Sequence, residues 1–175
     1  MHTIQYIATQ ADDTDHAFRS VKDYLETQLG NDFESPTNAW FDWFVCGGGR
    51  WSTSIDPYDN EFQGDVVSQD SPKFQEYLDK AKEFRQTTFD EYLKQANEID
   101  YTNLLSEIAA KPEESFHGGM QLYPIKKIYD MTMGTWDYNS YYFDVMNDTA
   151  SMKSLQDSLD NGAKDWYLVP CDFHF

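Results

Sequence analysis

Three consecutive glycines precede an arginine and a tryptophan at residues 47–51. Glycines in such a run tolerate positive φ and leave backbone N–H groups free to face an anion. Arg50 could hold a phosphate or carboxylate through two hydrogen bonds, and Trp51 could stack on a nucleobase. Gly48, Gly49, Arg50 and Trp51 are therefore candidate ligand residues. The alternative is a tight turn or bulge, with Arg50 paired to an acid and Trp51 in the core.

A carboxylate and a histidine lie two residues apart near the carboxyl end of the chain, at Asp172 and His174. On a strand, residues at this spacing point to the same face, and Cys171 and Phe173 point to the other. A carboxylate beside a histidine could orient a general base, so both residues join the candidate pocket. The alternative is a terminal strand with a solvated polar face. No serine or cysteine nucleophile can be assigned to the pair.

The spacing of the remaining metal-ligand residue types predicts neither a metal site nor a cofactor. No HExxH or HxH pattern occurs among the four histidines, His2, His16, His117 and His174. The two cysteines, Cys46 and Cys171, are distant in sequence and form no zinc pattern. We expect them to be reduced thiols in a cytosol, since no export signal precedes them.

The chain of 175 residues carries 31 acidic and 13 basic side chains, a formal net charge of −18. Aromatic residues make up 17% of it, which favours a folded acidic domain over a disordered acidic tail. This charge disfavours direct binding to nucleic acid and to anionic membranes. No apolar run is long enough to span a bilayer. Acidic residues are most in excess over residues 11–65 and 130–172.

The excess of acids could imitate a polynucleotide. Duplex DNA carries one charge per ~1.7 Å of axis, so eighteen charges correspond to about 9 base pairs, or roughly 30 Å. A domain of this size has a similar span. An acidic face could then compete with DNA for a basic groove. The candidate contacts are Asp12, Asp13, Asp15, Asp56, Asp59, Glu61, Asp65, Glu113 and Glu114. The alternative is that the acids serve solubility or a salt-adapted host.

Periodicity predicts a strand–helix start to the chain. Residues 3–9 alternate as a strand does, and apolar residues recur at helical spacing from Ala17 to Leu29, after an acidic helix entry. The aromatic-rich residues 38–46 predict a second strand, and residues 52–71 predict a long loop with at most one short strand.

The second half is predicted to contain helices, a hairpin and a closing strand. Ser71 and Pro72 open the longest helix, and a further helix ends at Ala110. Two strands, 125–133 and 136–145, are predicted to form a hairpin that turns near Gly134. A short helix around residues 152–159 and a strand over 165–175 follow. Pro170 predicts an edge position or a bulge in that last strand.

These elements define an α+β fold in a single domain, residues 1–175. An antiparallel or mixed sheet packs with helices, and the order of elements suggests a ferredoxin-like arrangement with a helical insertion at about residues 71–111.

Three segments together carry a resemblance to a known set of proteins. Residues 42–44 (Asp-Trp-Phe) lead to residues 48–51 (Gly-Gly-Arg-Trp), Pro124 leads to residues 134–136 (Gly-Thr-Trp), and the chain closes with residues 172–175 (Asp-Phe-His-Phe). The set resembles a family of uncharacterised proteins of bacteriophages and mobile elements. Phe173 stands where that family usually has cysteine. The resemblance implies a phage or mobile-element setting and expression inside a bacterial cell.

Two functions from different classes follow. The first is an anti-defence or host-takeover protein that binds and inhibits a host nucleic-acid-handling protein, such as a restriction or CRISPR-type nuclease, through an acidic surface that mimics DNA. This function would be salt-sensitive and would need no catalysis. The alternative is a protein that sequesters or hydrolyses a nucleotide with the Arg50 and Trp51 loop, Asp172 and His174. A virion or accessory structural protein is a third possibility, and the oligomeric state stays open.

Overall fold

The computed structural model describes residues 1–29, 39–59, 61–110 and 120–175. Within these ranges the chain forms five strands and five α-helices. The strands are β1 (His2–Gln10), β2 (Trp43–Cys46), β3 (Val67–Ser68), β4 (Tyr142–Asp144) and β5 (Trp166–His174). The helices are α1 (Thr14–Leu29), α2 (Pro72–Asn97), α3 (Tyr101–Ala110), α4 (Tyr123–Met133) and α5 (Met152–Asp160). A 3-10 turn, Gly49–Trp51, follows β2.

The five strands form one mixed sheet in the order β2-β5-β1-β4, with β3 also pairing with β5. Strand β5 is antiparallel to β1 along the full length of both, from His2 opposite His174 to Gln10 opposite Trp166. Strand β4 is parallel to β1. Because β5 pairs on both sides, the carboxyl-terminal segment is the centre of the sheet.

Helices cover both faces of this sheet, as the alternation of buried side chains requires. On one face, Val169, Cys171 and Phe173 of β5 pack with Phe18 and Val21 of α1. The opposite face carries a second apolar cluster that joins β1, β4 and β5 to α2 and α5. The predicted α+β class with a mixed sheet and packed helices is therefore confirmed, and the predicted helical insertion corresponds to α2 and α3.

The predicted hairpin at residues 125–145 is wrong. Residues 123–133 form helix α4, with Pro124 in its first turn, and Gly134 ends the helix at a left-handed φ of 73°. The buried positions, Pro124, Lys127 and Met131, recur at helical spacing. Contact with α2 overrides the strand preference of the local sequence, since the Arg85 guanidinium of α2 donates to the carbonyl of Met131. The ferredoxin-like arrangement depended on that hairpin, and the observed strand order departs from it.

Pro170 lies in the central strand of the sheet. A proline favours an edge strand, so the observed position of this strand differs from the edge position that the sequence predicts. Its partner on β1 is Tyr6, whose own N–H donates to the carbonyl of Tyr141, just before β4. Backbone groups of Pro170 therefore face the other side of β5, where β3 pairs with Leu168 and β2 pairs from Cys171 onward. Pro170 occupies the interval between the two short strands, where no ladder donor is needed.

Candidate functional site

The glycine run reverses the chain tightly after β2. Gly47 and Gly49 have φ values of 86° and 49°. A Cβ at Gly47 would lie 2.1 Å from the carbonyl oxygen of Phe62, and one at Gly49 would lie 2.3 Å from the Cβ of Asp172. Glycine is required at both positions. A Cβ would collide with the backbone of Phe62 at Gly47 and with the buried side chain of Asp172 at Gly49. The reversal places Arg50 beside the end of β5.

Asp172 is the centre of the resulting polar cluster. It is fully buried, and its carboxylate accepts the backbone N–H of Arg50 at 3.2 Å and contacts the guanidinium Nε at 3.5 Å. Its other oxygen accepts a hydrogen bond from the ring of His2 at 2.8 Å. Three donors from two distant segments thus balance one buried charge. The contact joins the glycine run and the amino terminus to the central strand.

The ring of His2 is held at both nitrogens. Nδ1 lies 2.8 Å from Asp172, and Nε2 lies 2.8 Å from the Arg50 guanidinium. Because a guanidinium can only donate, Nε2 accepts and Nδ1 carries the proton that is donated to Asp172. His2 therefore links an acid to a base, and both of its ring nitrogens are already hydrogen-bonded.

His174 belongs to a second pair rather than to Asp172. Its Nδ1 lies 2.6 Å from Asp42, and its ring stacks on Trp43 with centroids 5.2 Å apart and planes at 8°. The hydrogen bond from His174 lowers the pKa of Asp42. The two histidine rings are 4.9 Å apart. Asp172 and His174 lie near each other as predicted, yet each has a different partner.

The contacts of this cluster are those of a structural anchor that joins distant segments of the chain, more than those of a catalytic centre. Among the described residues, no hydroxyl or thiol is hydrogen-bonded to His174, so its Nε2 has no nucleophile to activate. Cys46 and Cys171 lie in the core on the opposite face, with sulfur atoms 3.6 Å apart. Burial raises the pKa of the Cys171 thiol, which suppresses its thiolate. The described residues also hold no group of metal-ligating side chains.

Trp51 is separated from this cluster, although it is adjacent to Arg50 in sequence. Its side chain is 46% exposed and lines a cavity between the sheet and α2. Gly48 adopts a left-handed φ of 98° at the start of the 3-10 turn. The glycine run therefore directs its arginine to Asp172 and its tryptophan to the cavity beside α2.

Within the described residues, the predicted acidic contacts divide into three groups. Asp12, Asp13, Asp56 and Asp59 are exposed. Asp15 and Glu61 form ion pairs with Arg19 and Lys22 of α1. Asp65 is only 3% exposed and accepts hydrogen bonds from the backbone N–H and hydroxyl of Thr53, at 2.7 and 2.8 Å, so its place on an acidic surface is corrected. Glu113 and Glu114 lie outside the described residues.

Exposed carboxylates gather at one end of the sheet, and the charge pattern singled out only two of them, Asp12 and Asp13. Asp12 and Asp13 follow β1, Asp165 precedes the antiparallel β5, and Asp70 follows β3, which pairs with the start of β5. Asp160 ends α5 just before this edge. We call these five residues the acidic end: Asp12, Asp13, Asp70, Asp160 and Asp165. Within the described ranges, no lysine or arginine forms an ion pair with any of them.

Sequence reasoning missed His2, Asp42 and the three later members of the acidic end. His2 and Asp42 reach the site only through strand pairing, since His2 lies opposite His174 on β1 and Asp42 precedes β2. Asp70 is far in sequence from Asp160 and Asp165, and the pairing of β3 with β5 brings it near Asp165. No local pattern marks any of these residues.

Comparisons of the chain with protein-family models, with curated proteins and with solved structures find no match. Over the ranges that the structure describes, no helix combines the length and the apolar character needed to cross a membrane.

Proposed function

We propose that this chain is a binding protein whose acidic end occupies the cationic groove of a nucleic-acid-handling protein and excludes the nucleic acid from it. The observation that carries the proposal is the convergence of exposed aspartates from three neighbouring strands. Asp12, Asp70 and Asp165 have no lysine or arginine partner among the described residues. Their charges are therefore available to a partner.

The charge density at this edge supports the proposal. Paired strands are about 4.8 Å apart, so the ends of β1, β5 and β3 span about 10 Å. Duplex DNA presents about six phosphates over the same distance of helix axis. The acidic end presents five carboxylates, and Lys164 is the exposed lysine beside them. A groove that attracts a duplex would attract this edge by the same force.

The opposite end of the sheet supports a division of roles. There, Asp172 is bonded to Arg50 and His2, and Asp42 is bonded to His174. Carboxylates at that end are bonded to arginine and histidine, whereas Asp12, Asp70 and Asp165 at the acidic end have no lysine or arginine partner in the described ranges. The protein thus has one face suited to electrostatic docking.

The proposed setting is a bacterial cell in which the protein counters a host defence. The resemblance of residues 48–51 and of the closing segment to bacteriophage proteins suggests this setting. A restriction or CRISPR-type nuclease is the partner class whose groove carries the required positive charge. Complementary charge would accelerate association and make the complex sensitive to salt.

The test compares two variants with equal charge in a panel of purified restriction and CRISPR-type nucleases. The first variant, D12N/D70N/D160N/D165N, neutralises four of the five aspartates of the acidic end and leaves Asp13 to cap α1. The control, E83Q/D90N/E91Q/E98Q, removes the same four charges from exposed positions of α2 and its end. The measurement is the concentration of each protein that halves DNA binding by the nuclease.

We expect wild type and control to inhibit at least one nuclease, and the first variant to need at least tenfold more protein. Inhibition should weaken severalfold as salt rises from low to moderate concentration. If the two variants inhibit the nuclease equally well, inhibition depends on a surface other than the acidic end, and the proposal is wrong. Failure of the wild-type protein to inhibit any nuclease in the panel would overturn the proposal.

A further inference from the structure

The His2 ring contacts an acid and a base that also contact each other. Nδ1 of His2 lies 2.8 Å from one oxygen of Asp172, and Nε2 lies 2.8 Å from a terminal nitrogen of the Arg50 guanidinium. The Nε of Arg50 lies 3.5 Å from the other oxygen of Asp172. Each of the three side chains therefore touches both of the others, and a change of charge on one affects both partners.

The contact between Arg50 and His2 requires an unprotonated Nε2. A guanidinium donates and never accepts, so this hydrogen bond forms only with the lone pair of the imidazole nitrogen. A proton on Nε2 would set two N–H groups against each other across 2.8 Å, each on a positively charged side chain. Histidine side chains ordinarily take up a proton at about pH 6.5. Mild acid therefore removes the acceptor on which this contact of Arg50 depends.

The charge of Asp172 can be balanced by either of its two basic partners. Because the residue is fully buried, its carboxylate needs a compensating cation. While His2 is unprotonated, that cation is the guanidinium of Arg50. Once His2 is protonated, its ring is a cation whose Nδ1 lies 2.8 Å from the carboxylate, closer than the guanidinium Nε at 3.5 Å. Its hydrogen bond becomes charge-assisted, and the arginine becomes the surplus charge.

The exposure of the two basic side chains decides which of them leaves. The His2 side chain is 16% exposed and belongs to β1, which pairs with β5 along its whole length. The Arg50 side chain is 43% exposed and belongs to a 3-10 turn of three residues. A guanidinium at such a position can turn into water at little cost. The backbone N–H of Arg50 keeps its own bond to Asp172, so the turn stays in place.

The other ionisable groups that the described residues place around His2 are already paired. The His174 ring lies 4.9 Å from the His2 ring, and its Nδ1 lies 2.6 Å from Asp42. The amino group of Met1 donates to the carbonyl of Phe175, whose carboxylate lies at the same end of the sheet. A proton on His174 would add positive charge beside His2, which favours release of the most exposed cation.

We propose that His2, Arg50 and Asp172 form a pH-sensitive switch. When Nε2 of His2 gains a proton, the imidazolium takes over the compensation of Asp172 and the Arg50 side chain is released into solvent. The change adds one N–H bond and breaks only hydrogen bonds, so it reverses when the pH is raised. The switch does not depend on the proposed function, because the acidic end lies at the other end of β1 and β5.

An NMR titration of the whole chain from pH 8 to pH 5 tests the proposal. It follows the protonation of the His2 ring and the nuclear Overhauser effects between that ring and the Arg50 side chain. The test variant is His2→Gln, whose amide can contact both partners and does not titrate. The matched control is His16→Gln, which removes an exposed histidine beside Asp12 at the other end of the sheet. A second variant, His174→Gln, separates the two neighbouring histidines.

We expect the contact between Arg50 and the His2 ring to be lost with the same midpoint as the titration of that ring. The loss should occur in wild type, in His16→Gln and in His174→Gln. In His2→Gln, the contact of Arg50 with the substituted side chain should persist down to pH 5.

Three results would overturn the proposal. In the wild type, they are a His2 ring that takes up no proton above pH 5, and an Arg50 contact that persists after the ring is protonated. These two are measured without any variant, so they decide the matter even if a variant fails to fold. The third is a loss of the Arg50 contact over the same pH range in His2→Gln, which would assign the release to another group.

Discussion

Gly49 and Asp172 are in direct contact: a methyl group on Gly49 would lie 2.3 Å from the Cβ of Asp172 and 2.6 Å from a carboxylate oxygen. The two residues come from the turn after β2 and from the central strand β5, 123 positions apart in the chain. This contact lets the backbone N–H of Arg50 reach the buried carboxylate at 3.2 Å.

Gly49→Ala should destabilise the fold by about 2 to 4 kcal/mol, through backbone strain at a φ of 49° and displacement of Asp172. The matched control is Gly162→Ala, at a φ of 81° with open space around the added methyl. That change should cost only the backbone term, about 1 to 2 kcal/mol. Urea unfolding measures both. An equal loss of unfolding free energy for the two variants would show that Asp172 moves aside without destabilising the fold.

Asp172→Asn should destabilise the fold by about 3 kcal/mol, because the change puts an amide in place of the fully buried carboxylate that accepts the Arg50 backbone N–H and the His2 ring N–H. The comparison is Asp42→Asn, which breaks a similar carboxylate–histidine pair whose carboxylate side chain is 62% exposed. Solvent replaces that interaction, so the cost should stay below about 1 kcal/mol. Similar losses in chemical denaturation would contradict the assignment of Asp172 as the anchor.

The alkaline limit of stability should depend on Tyr6. Burial, followed by the nearby charge of Glu76, raises the pKa of Tyr6 from 10.0 to about 12. Between these values the unfolded chain has lost the phenol proton and the folded chain keeps it. The free energy of unfolding therefore falls as pH rises through this window. Tyr6→Phe should make the fall shallower in urea titrations from pH 9 to 12. If the unfolding free energy of the variant falls with pH as steeply as that of the wild type, groups other than Tyr6 cause the loss of stability.

The two cysteine thiols should be inert in the folded protein. Cys46 and Cys171 are both fully buried, and burial raises the pKa of Cys171, so little thiolate is available for reaction. A colorimetric disulfide reagent should react slowly with native protein and should titrate both thiols once denaturant is added. Rapid reaction without denaturant would mean that this part of the core opens readily.

Several elements could be predicted from the sequence because each has a signal within a few residues of itself. The apolar spacing of α1, the Ser71 and Pro72 start of α2 and the alternation of β5 are local patterns, and the structure confirms these elements. Helix α4 could not be predicted in this way. Its β-branched and aromatic residues favour a strand locally, and packing against Arg85 and its helix decides the outcome.

The candidate sites were predictable only in part, for the same reason. The pattern of charge marked Asp65 as a surface acid, but a hydrogen bond from Thr53 across a loop buries it. It marked Asp12 and Asp13 correctly as exposed, yet the neighbours Asp70 and Asp165 depend on which strands pair. Strand order is set by long-range packing, so no window of sequence contains it.

The missing amide hydrogen of Pro170 has a consequence for how the molecule keeps its shape. An unbroken row of donors along that side of β5 would let β2 and β3 merge into one ribbon, or would accept a strand from another molecule. The imino acid acts as a spacer that holds the two short strands apart. The ring of Pro170 also lines the cavity between the sheet and α2.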